Sequence, residues 1–235
     1  MNDIAYRLPA PTDRETLLSL SREAIGMTDV YTYGILYPDL PQNSRLWLGE
    51  AAGGLCIVLY DNGDYFTVNE PMNGSFSVVR ASAESTLFQP PQKKDRLVLM
   101  EYRGAGEAET GTAILTGKEL LNVWKLLGGT QTLSDALEKR YVESVRGVHA
   151  DLCAYRGIYE NGMLVSCGGI VASNEKYALI GNVFTAEKHR GRGLAAATVR
   201  SLIGTALQKE RIPVLYCEKN MTGFYRKLGF FETER

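Results

Sequence analysis

The sequence has no excess of charge of either sign and no long apolar run. Its 26 basic and 27 acidic residues leave a formal net charge of −1, so no overall basic surplus is available to neutralise a nucleic-acid backbone. No segment approaches the roughly 18 uncharged apolar residues of a membrane-spanning helix, and the N-terminus lacks the basic and apolar regions of a signal peptide. We therefore expect no nucleic-acid partner and no membrane association, and any anion-binding site must be local.

Cysteine and histidine are also too sparse and too scattered for a typical metal site. The four cysteines, Cys56, Cys153, Cys167 and Cys217, lie far apart, no C-x-x-C pair occurs, and the chain has two histidines. Each cysteine sits in an apolar run, which is typical of free, buried thiols in a reducing compartment. The pattern predicts a cytoplasmic protein without a metal ion.

The length of the chain and the pattern of its apolar and turn residues predict two parts. At roughly 100–200 residues per domain, 235 residues allow one large domain or two small ones. Residues 1–93 are predicted to form an N-terminal, β-rich lobe, and residues 94–235 a second domain. A capping box at Thr12–Glu15 predicts a helix over 12–25. Short apolar runs separated by turn residues predict strands over 46–50, 55–60, 65–68 and 75–81, and residues 83–95 read as a linker.

In the second domain, strands and capped helices alternate. The predicted order from residue 95 is β-α-α-β-β-β-α-β-α-β, which favours a mixed α/β (α+β) fold, a sheet with helices on its faces. The predicted strands cover 96–102, 152–160, 163–172, 176–185, 212–217 and the chain from 230, and the predicted helices cover 116–128, 132–146, 194–209 and 222–228.

The loop between the strand at 176–185 and the next helix carries the clearest chemical signal. It reads Arg190-Gly191-Arg192-Gly193-Leu194-Ala195. Two glycines let backbone amides approach a ligand closely, the helix N-terminus favours an anion, and two arginines add charge. The loop therefore predicts a phosphate or pyrophosphate site.

A dinucleotide fingerprint is the competing interpretation of this loop, because Gly191, Gly193 and Ala196 fit G-x-G-x-x-A. Three features disfavour it: the largely charged segment Ala186–His189 separates the strand from the loop, arginines interrupt the glycines, and only 17 residues follow Glu218. A doubly wound fold needs further βαβ units there. The simplest interpretation that gives this loop no function is a solvated basic turn at the start of a helix.

The loop resembles the Q/R-x-x-G-x-G/A motif of the GNAT superfamily of acyl-CoA-dependent N-acyltransferases. The preceding strand, Asn182–Thr185, and the later segment Tyr225-Arg226-Lys227-Leu228-Gly229-Phe230 resemble the family's V-Y-T and Y-x-K-x-G-F signatures, in the family's order and spacing. The resemblance implies a three-layer α/β/α fold with a splayed mixed sheet. It also allows residues 1–93 to be a degenerate half of the same fold, with an unrelated β-rich lobe as the alternative.

The resemblance further implies acetyl-CoA as cosubstrate, lying between two parallel strands that end near Thr185 and Cys217. Tyr225 would protonate the leaving thiolate, and packing alone is the alternative role for its ring. The family's usual asparagine is replaced by Glu218, so Asn220 is expected to take over that cofactor contact. The implied cofactor-binding residues are Val183, Phe184, Thr185, Arg190, Gly191, Arg192, Gly193, Leu194, Ala195 and Asn220.

The implied reaction is acetyl transfer from acetyl-CoA to a primary amine by direct attack, which requires a base. Glu218 is the nearest candidate by topology, Glu187 and Asp151 are others, and a water chain could also serve. The alternative is a coenzyme A-binding sensor or interaction module without turnover. The acceptor is expected to be a small-molecule or peptide amine, and no motif specifies an oligomeric state.

Overall fold

The computed structural model describes residues 6–7, 10–25, 27–28, 45–51, 54–61, 64–69, 78–79, 97–105, 111–116, 119–126 and 154–233. The predicted helix over 132–146, the candidate base Asp151 and the boundary between residues 93 and 94 lie outside these ranges. None of the helices within the described ranges is long and apolar enough to cross a membrane.

Within its described residues, the N-terminal part contains a five-stranded antiparallel sheet and an α-helix of eight residues. The strands are β1 (Tyr6–Arg7), β2 (Arg45–Ala51), β3 (Gly54–Asp61), β4 (Asp64–Asn69) and β5 (Val78–Val79), in that spatial order. The strands predicted from the apolar runs are thereby confirmed, although the last is only two residues long.

Helix α1 covers Arg14–Ser21, after a 3-10 turn at Pro11–Asp13. The predicted capping box at Thr12–Glu15 is wrong. Asp13 accepts a hydrogen bond from the Ala10 amide at 2.6 Å instead, because Pro11 is already in the turn and proline suits the first position of a helical segment.

The C-terminal part is built on a seven-stranded mixed sheet with the order β12-β6-β11-β10-β9-β8-β7. Strands β10 and β11 are parallel, and all other neighbours are antiparallel. The strands are β6 (Val98–Tyr102), β7 (Ala113–Leu115), β8 (Ala154–Glu160), β9 (Met163–Ser173), β10 (Tyr177–Thr185), β11 (Ile212–Cys217) and β12 (Phe230–Glu232). Among the described residues, the helices of this part are α2 (Glu119–Leu126), α3 (Leu194–Leu207) and α4 (Thr222–Arg226).

One strand lies elsewhere than the predicted order implies. The strand predicted over 96–102 forms as β6, but it pairs with β11 and β12 rather than with the strands that follow it. The edge beside β8 is occupied by β7, a three-residue strand with no signal in the sequence. Leu99 and Met100 of β6 are both buried, one on each face of the sheet, which suits an inner position.

Helices cover both faces of this sheet, so the predicted three-layer arrangement is confirmed. On one face, α3 and α4 pack in a core with Met100, Ile170, Ile180, Leu215 and Phe230. On the other, α2 packs on Leu115, Tyr155 and Cys167, and Ile25 from the N-terminal part packs on Leu99, Leu179 and Val214.

Candidate functional site

The two parallel strands of the C-terminal sheet separate at their carboxyl ends. β10 and β11 are paired from Tyr177–Ile212 to Ile180–Leu215. Beyond that pair the strands continue to Thr185 and Cys217 without pairing to each other. The predicted splay is therefore present, and it leaves an open wedge between the end of β10 and the end of β11.

A bulge in β10 turns the strand away from β11. The register of β10 on β9 shifts between Gly181 and Phe184, and Asn182 has a φ of +53°. Asparagine tolerates this left-handed conformation better than most residues. The Asn182 side chain donates to the Tyr155 hydroxyl at 2.8 Å, and its carbonyl accepts from the Cys167 thiol at 3.6 Å. These contacts hold the bulge, and no sequence motif points to them.

The bulge also decides which backbone groups face the wedge. The Ala186 amide donates to the Val165 carbonyl on β9, and the Phe184 carbonyl accepts from Ser166 on the same strand. Successive residues of a strand present their backbone groups to opposite edges. The N–H groups of Val183 and Thr185 therefore face the wedge, while that of Phe184 faces β9.

The glycine loop lies at the mouth of this wedge, before α3. Gly191 and Gly193 have φ of +75° and +80°, and apart from the adjoining residues no described atom lies within 4 Å of the position that a Cβ would take at either glycine. The first hydrogen bond of the helix runs from the Ala197 amide to the Gly193 carbonyl. Amides of a first helical turn have no partner within the helix. The loop therefore presents N–H groups to open space, at the positive end of the helix dipole.

Both arginines of the loop are held by neighbouring groups. Arg190 Nε donates to the Thr185 carbonyl at 3.1 Å, and its guanidinium lies 5.7 Å from the centre of the Phe184 ring. Arg192 is paired with Glu160 through both terminal nitrogens, at 2.8 and 2.9 Å. Hydrogen bonding to Arg192 lowers the pKa of Glu160, so this carboxylate at the end of β8 is ionised beside the loop.

Tyr225 packs beneath the wedge rather than at the surface. It is 8% exposed, and its ring makes edge-to-face contacts with Phe224 and Phe230, with centroids 4.9 and 6.0 Å away. The same core contains Cys217, and Val183 from β10 packs against it. The structure thus brings together the ends of both parallel strands and α4.

Burial sets the protonation of the groups in this core. It raises the pKa of Tyr225 to about 12, with a smaller contribution from Cys217, so the phenol carries its proton at neutral pH. Burial also raises the pKa of Cys217, whose thiol lies 3.5 Å from the Met100 sulfur. Cys167 and Cys217 are free and buried, as predicted.

The remaining predicted site residues lie on exposed turns. Glu218 follows β11 and precedes a 3-10 turn that contains Asn220, and both side chains are exposed. Glu187 is exposed in the turn before the glycine loop. All three flank the wedge along the chain, and none of them is held in place by burial.

Comparisons with known proteins agree with this geometry. The sequence model of the Acetyltransferase (GNAT) family matches residues 123–230, whereas a search of curated proteins finds no match. An acetyltransferase from the GNAT family of Colwellia psychrerythraea is similar in structure, with a TM-score of 0.58, 11% identity, and coverage of 97% of this chain and 96% of that chain.

A tandem GNAT protein from the clavulanic acid biosynthesis pathway gives a TM-score of 0.56 at 14% identity, with coverage of 98% of this chain and 95% of that chain. A putative acetyltransferase of Novosphingobium aromaticivorans gives 0.48 at 20% identity. The match covers 59% of this chain and spans 60% of that protein's length. The first two likenesses show the fold alone, and the family match identifies residues 123–230 as a domain of the acetyltransferase (GNAT) family.

Proposed function

We propose that this protein is an N-acyltransferase that transfers an acetyl group from acetyl-CoA to a primary amine by direct attack. The observation that carries the proposal is the meeting of the wedge and the glycine–arginine loop at the carboxyl ends of β10 and β11. The GNAT family match supports the reaction class.

The loop fits the phosphates of coenzyme A. Open space surrounds Gly191 and Gly193, and amides and guanidinium groups are the donors that phosphate oxygens prefer. The pyrophosphate would be held by the amides from Gly191 to Ala195, together with Arg190 and Arg192. The pantetheine arm would lie along the wedge, where Val183 and Thr185 present their N–H groups, and Asn220 would contact the cofactor from the turn after β11.

The chemistry assigns each group a step. Acetyl-CoA, when bound, supplies the acetyl group as a thioester. The amine nitrogen bonds to the carbonyl carbon while the carbon–sulfur bond breaks, and an N–H from Val183 or Thr185 stabilises the oxygen as charge develops on it. Tyr225 donates a proton to the leaving sulfur. The proton of the attacking amine leaves to Glu218 or to water.

A coenzyme A-binding module without turnover is the second candidate. It is favoured by Glu218, which stands where the family usually has asparagine and is exposed rather than buried as a tuned base. The two candidates differ in one measurement, because only the enzyme releases free thiol from acetyl-CoA when a panel of amines is supplied.

Two further proposals follow from the comparisons and the sequence. Similarity over 97–98% of the chain to two GNAT structures, one of them a tandem protein, supports residues 1–93 as a degenerate half of the same fold. The acceptor is a small-molecule or peptide amine that binds near α2. The predicted location of the protein remains the reducing cytoplasm.

The deciding experiment is calorimetric titration with coenzyme A, followed by kinetics of Arg190→Ala. The substitution removes a charge-assisted phosphate contact of about 1–3 kcal/mol. The Michaelis constant for acetyl-CoA should therefore rise about 5- to 150-fold, while that for the amine stays nearly constant. Absence of binding at millimolar coenzyme A would refute the proposal, and equal effects on both substrates would refute the placement of the pyrophosphate.

A further inference from the structure

Glu160 connects the hairpin after β8 to the glycine loop at two points. Its carboxylate accepts from both terminal nitrogens of Arg192, at 2.8 and 2.9 Å, and one of its oxygens lies 3.0 Å from His189 Nδ1. Residues 189 and 192 enclose the tight turn at Arg190 and Gly191. One side chain from a neighbouring strand therefore holds the loop on both sides of its first glycine.

The loop needs such an external contact because of its own sequence. Arg192 stands between Gly191 and Gly193, both in the left-handed region, and glycine has the widest conformational freedom of any residue. A ligand that required this loop to be ordered would lose affinity to the entropy of ordering it. A carboxylate that fixes Arg192 from outside reduces that loss.

The pair leaves Arg192 able to bind a further anion. A guanidinium group has five N–H donors, and the two-point contact with Glu160 uses one on each terminal nitrogen. Nη1 also lies 3.2 Å from His189 Nδ1, which leaves Nε and the second N–H of Nη2. The side chain of Arg192 is 52% exposed, so the remaining donors are accessible from the open side of the loop. The negative charge of Glu160 opposes a phosphate, but it is offset by the positive charge of Arg192, with which Glu160 is paired.

We propose that Glu160 is a positioning residue that orders the glycine loop, through Arg192, for the phosphates of coenzyme A. The inference rests on the proposed function, since it presumes that coenzyme A is the ligand. It adds a residue outside the family motif, on a strand that the motif does not reach.

The test is a double-mutant cycle on coenzyme A affinity, measured by calorimetry on the full chain. The variants are Glu160→Ala, Glu160→Gln, Arg192→Ala and the double variant Glu160→Ala with Arg192→Ala. We expect Glu160→Ala to weaken binding about 5- to 10-fold and Glu160→Gln to weaken it less, because the amide oxygen keeps one acceptor. In the Arg192→Ala background, removal of Glu160 should have a much smaller effect, because only its contact with His189 remains to be lost.

A matched control and a second readout separate ordering from charge and from misfolding. Glu101→Gln neutralises a carboxylate that is also paired with an arginine, Arg103, but lies away from the loop, and should leave affinity unchanged. In the free protein, the ¹⁵N order parameters of Gly191 and Gly193 should fall in Glu160→Ala, since they report backbone order directly.

The possible outcomes distinguish this inference from the function on which it rests. Unchanged or tighter binding by Glu160→Ala and Glu160→Gln overturns it, and so does an equal loss in the Arg192→Ala background. Unchanged order parameters in Glu160→Ala overturn it as well. If the unmodified protein fails to bind coenzyme A, it is the proposed function that fails.

Discussion

Tyr225 combines a polar hydroxyl with an apolar, aromatic environment at the base of the wedge. Its ring is enclosed by Phe224 and Phe230, and burial raises its pKa to about 12. A phenol in this state keeps its proton at any physiological pH, so it can donate but does not become a phenolate. These properties suit the proposed general acid, and they equally suit a packing residue, so the two roles must be separated by experiment.

Tyr225→Phe separates them, because phenylalanine keeps the ring and removes only the hydroxyl. If the hydroxyl protonates the leaving sulfur, turnover should fall roughly 10- to 100-fold, at or below the low end for general acid catalysis, while coenzyme A affinity is retained. Tyr102→Phe is the matched control, since Tyr102 also packs edge-to-face on Phe230, at 5.5 Å. A Tyr225→Phe turnover within twofold of the unmodified protein, with chemistry rate-limiting, would leave Tyr225 a packing residue.

Cys167 should make the folded state sensitive to alkali. Burial raises its pKa from 9.0 to about 12, so the unfolded chain loses this proton first as the pH rises. The free energy of unfolding therefore has its full value below pH 9 and falls as the pH approaches 12, by roughly 1.4 kcal/mol per pH unit at most. Urea denaturation at several pH values measures the slope.

Cys167→Ser is the control for this prediction, because a serine hydroxyl can donate to the Asn182 carbonyl but does not titrate in this range. Its free energy of unfolding should fall less steeply than that of the unmodified protein between pH 9 and 10, where Cys217, whose pKa burial also raises, still contributes. Above pH 10 the raised pKa of Tyr225 adds to the slope of both proteins. Identical slopes for both proteins between pH 9 and 10 would contradict the assignment.

At the scale of single residues, the sequence predicts those that belong to local motifs. It does not predict those that act through tertiary contacts. Gly191 and Gly193 are recognisable because a tight turn before a helix requires them. Glu160, Tyr155 and Asn182 carry no such signature. Their contacts depend on which positions of β8, β9 and β10 face each other, and register is set by the whole sheet rather than by any local pattern.

The glycine loop and the bulge of β10 act as one element that shapes both sides of the candidate site. The bulge opens the wedge, and the loop lies at its far end, with open space around both glycines. Both depend on left-handed backbone conformations, which ordinary residues adopt at a cost of about 1–2 kcal/mol. The role of these left-handed conformations can therefore be tested by replacing one glycine of the loop with alanine, which removes the conformational freedom of that residue.

Gly193→Ala should distort the loop without any steric clash. The φ of +80° disfavours alanine, although no atom lies within 4 Å of the new methyl group. We expect stability to fall by about 1 kcal/mol and the dissociation constant of coenzyme A to rise about 10-fold, measured by calorimetry. Gly223→Ala is the control, since Gly223 also has open space around it but lies in α4 without a positive φ. Equal effects of both substitutions would contradict the role of the loop conformation.

The bounds of helices and strands with a strong apolar periodicity are predicted almost to the residue. The order of the strands in the sheet is predicted less well. Strand β11 and the start of α3 match the predicted bounds, because apolar spacing and the glycine before Leu194 define them locally. The placement of β6 between β11 and β12 could not be predicted. A chain that crosses from one side of a sheet to the other leaves no local signature in its sequence.

Across the whole molecule, a buried asparagine on the C-terminal sheet makes hydrogen bonds to the N-terminal part. Asn174 is fully buried in the turn between β9 and β10. Its side-chain nitrogen donates to the carbonyls of Ser21 and Ala24 at the end of α1, at 2.8 and 2.9 Å. Its side-chain oxygen accepts from the amides of Lys176 and Tyr177. All four hydrogen-bonding positions of the side chain are therefore used, two within the turn and two toward α1.

Asn174→Ala should destabilise the protein by about 2–4 kcal/mol in urea denaturation, because a buried group left without its partner costs about 1–3 kcal/mol and four groups lose theirs at once. The cost is below the simple sum, since neighbouring groups relax together. Glu175→Ala is the matched control, because Glu175 contacts the same helix through an exposed ion pair with Arg22 at 3.1 Å. Exposed pairs are worth about 0–1 kcal/mol. A loss in Asn174→Ala no larger than in Glu175→Ala would show that α1 is held on the sheet by the apolar contacts of Ile25 rather than by this asparagine.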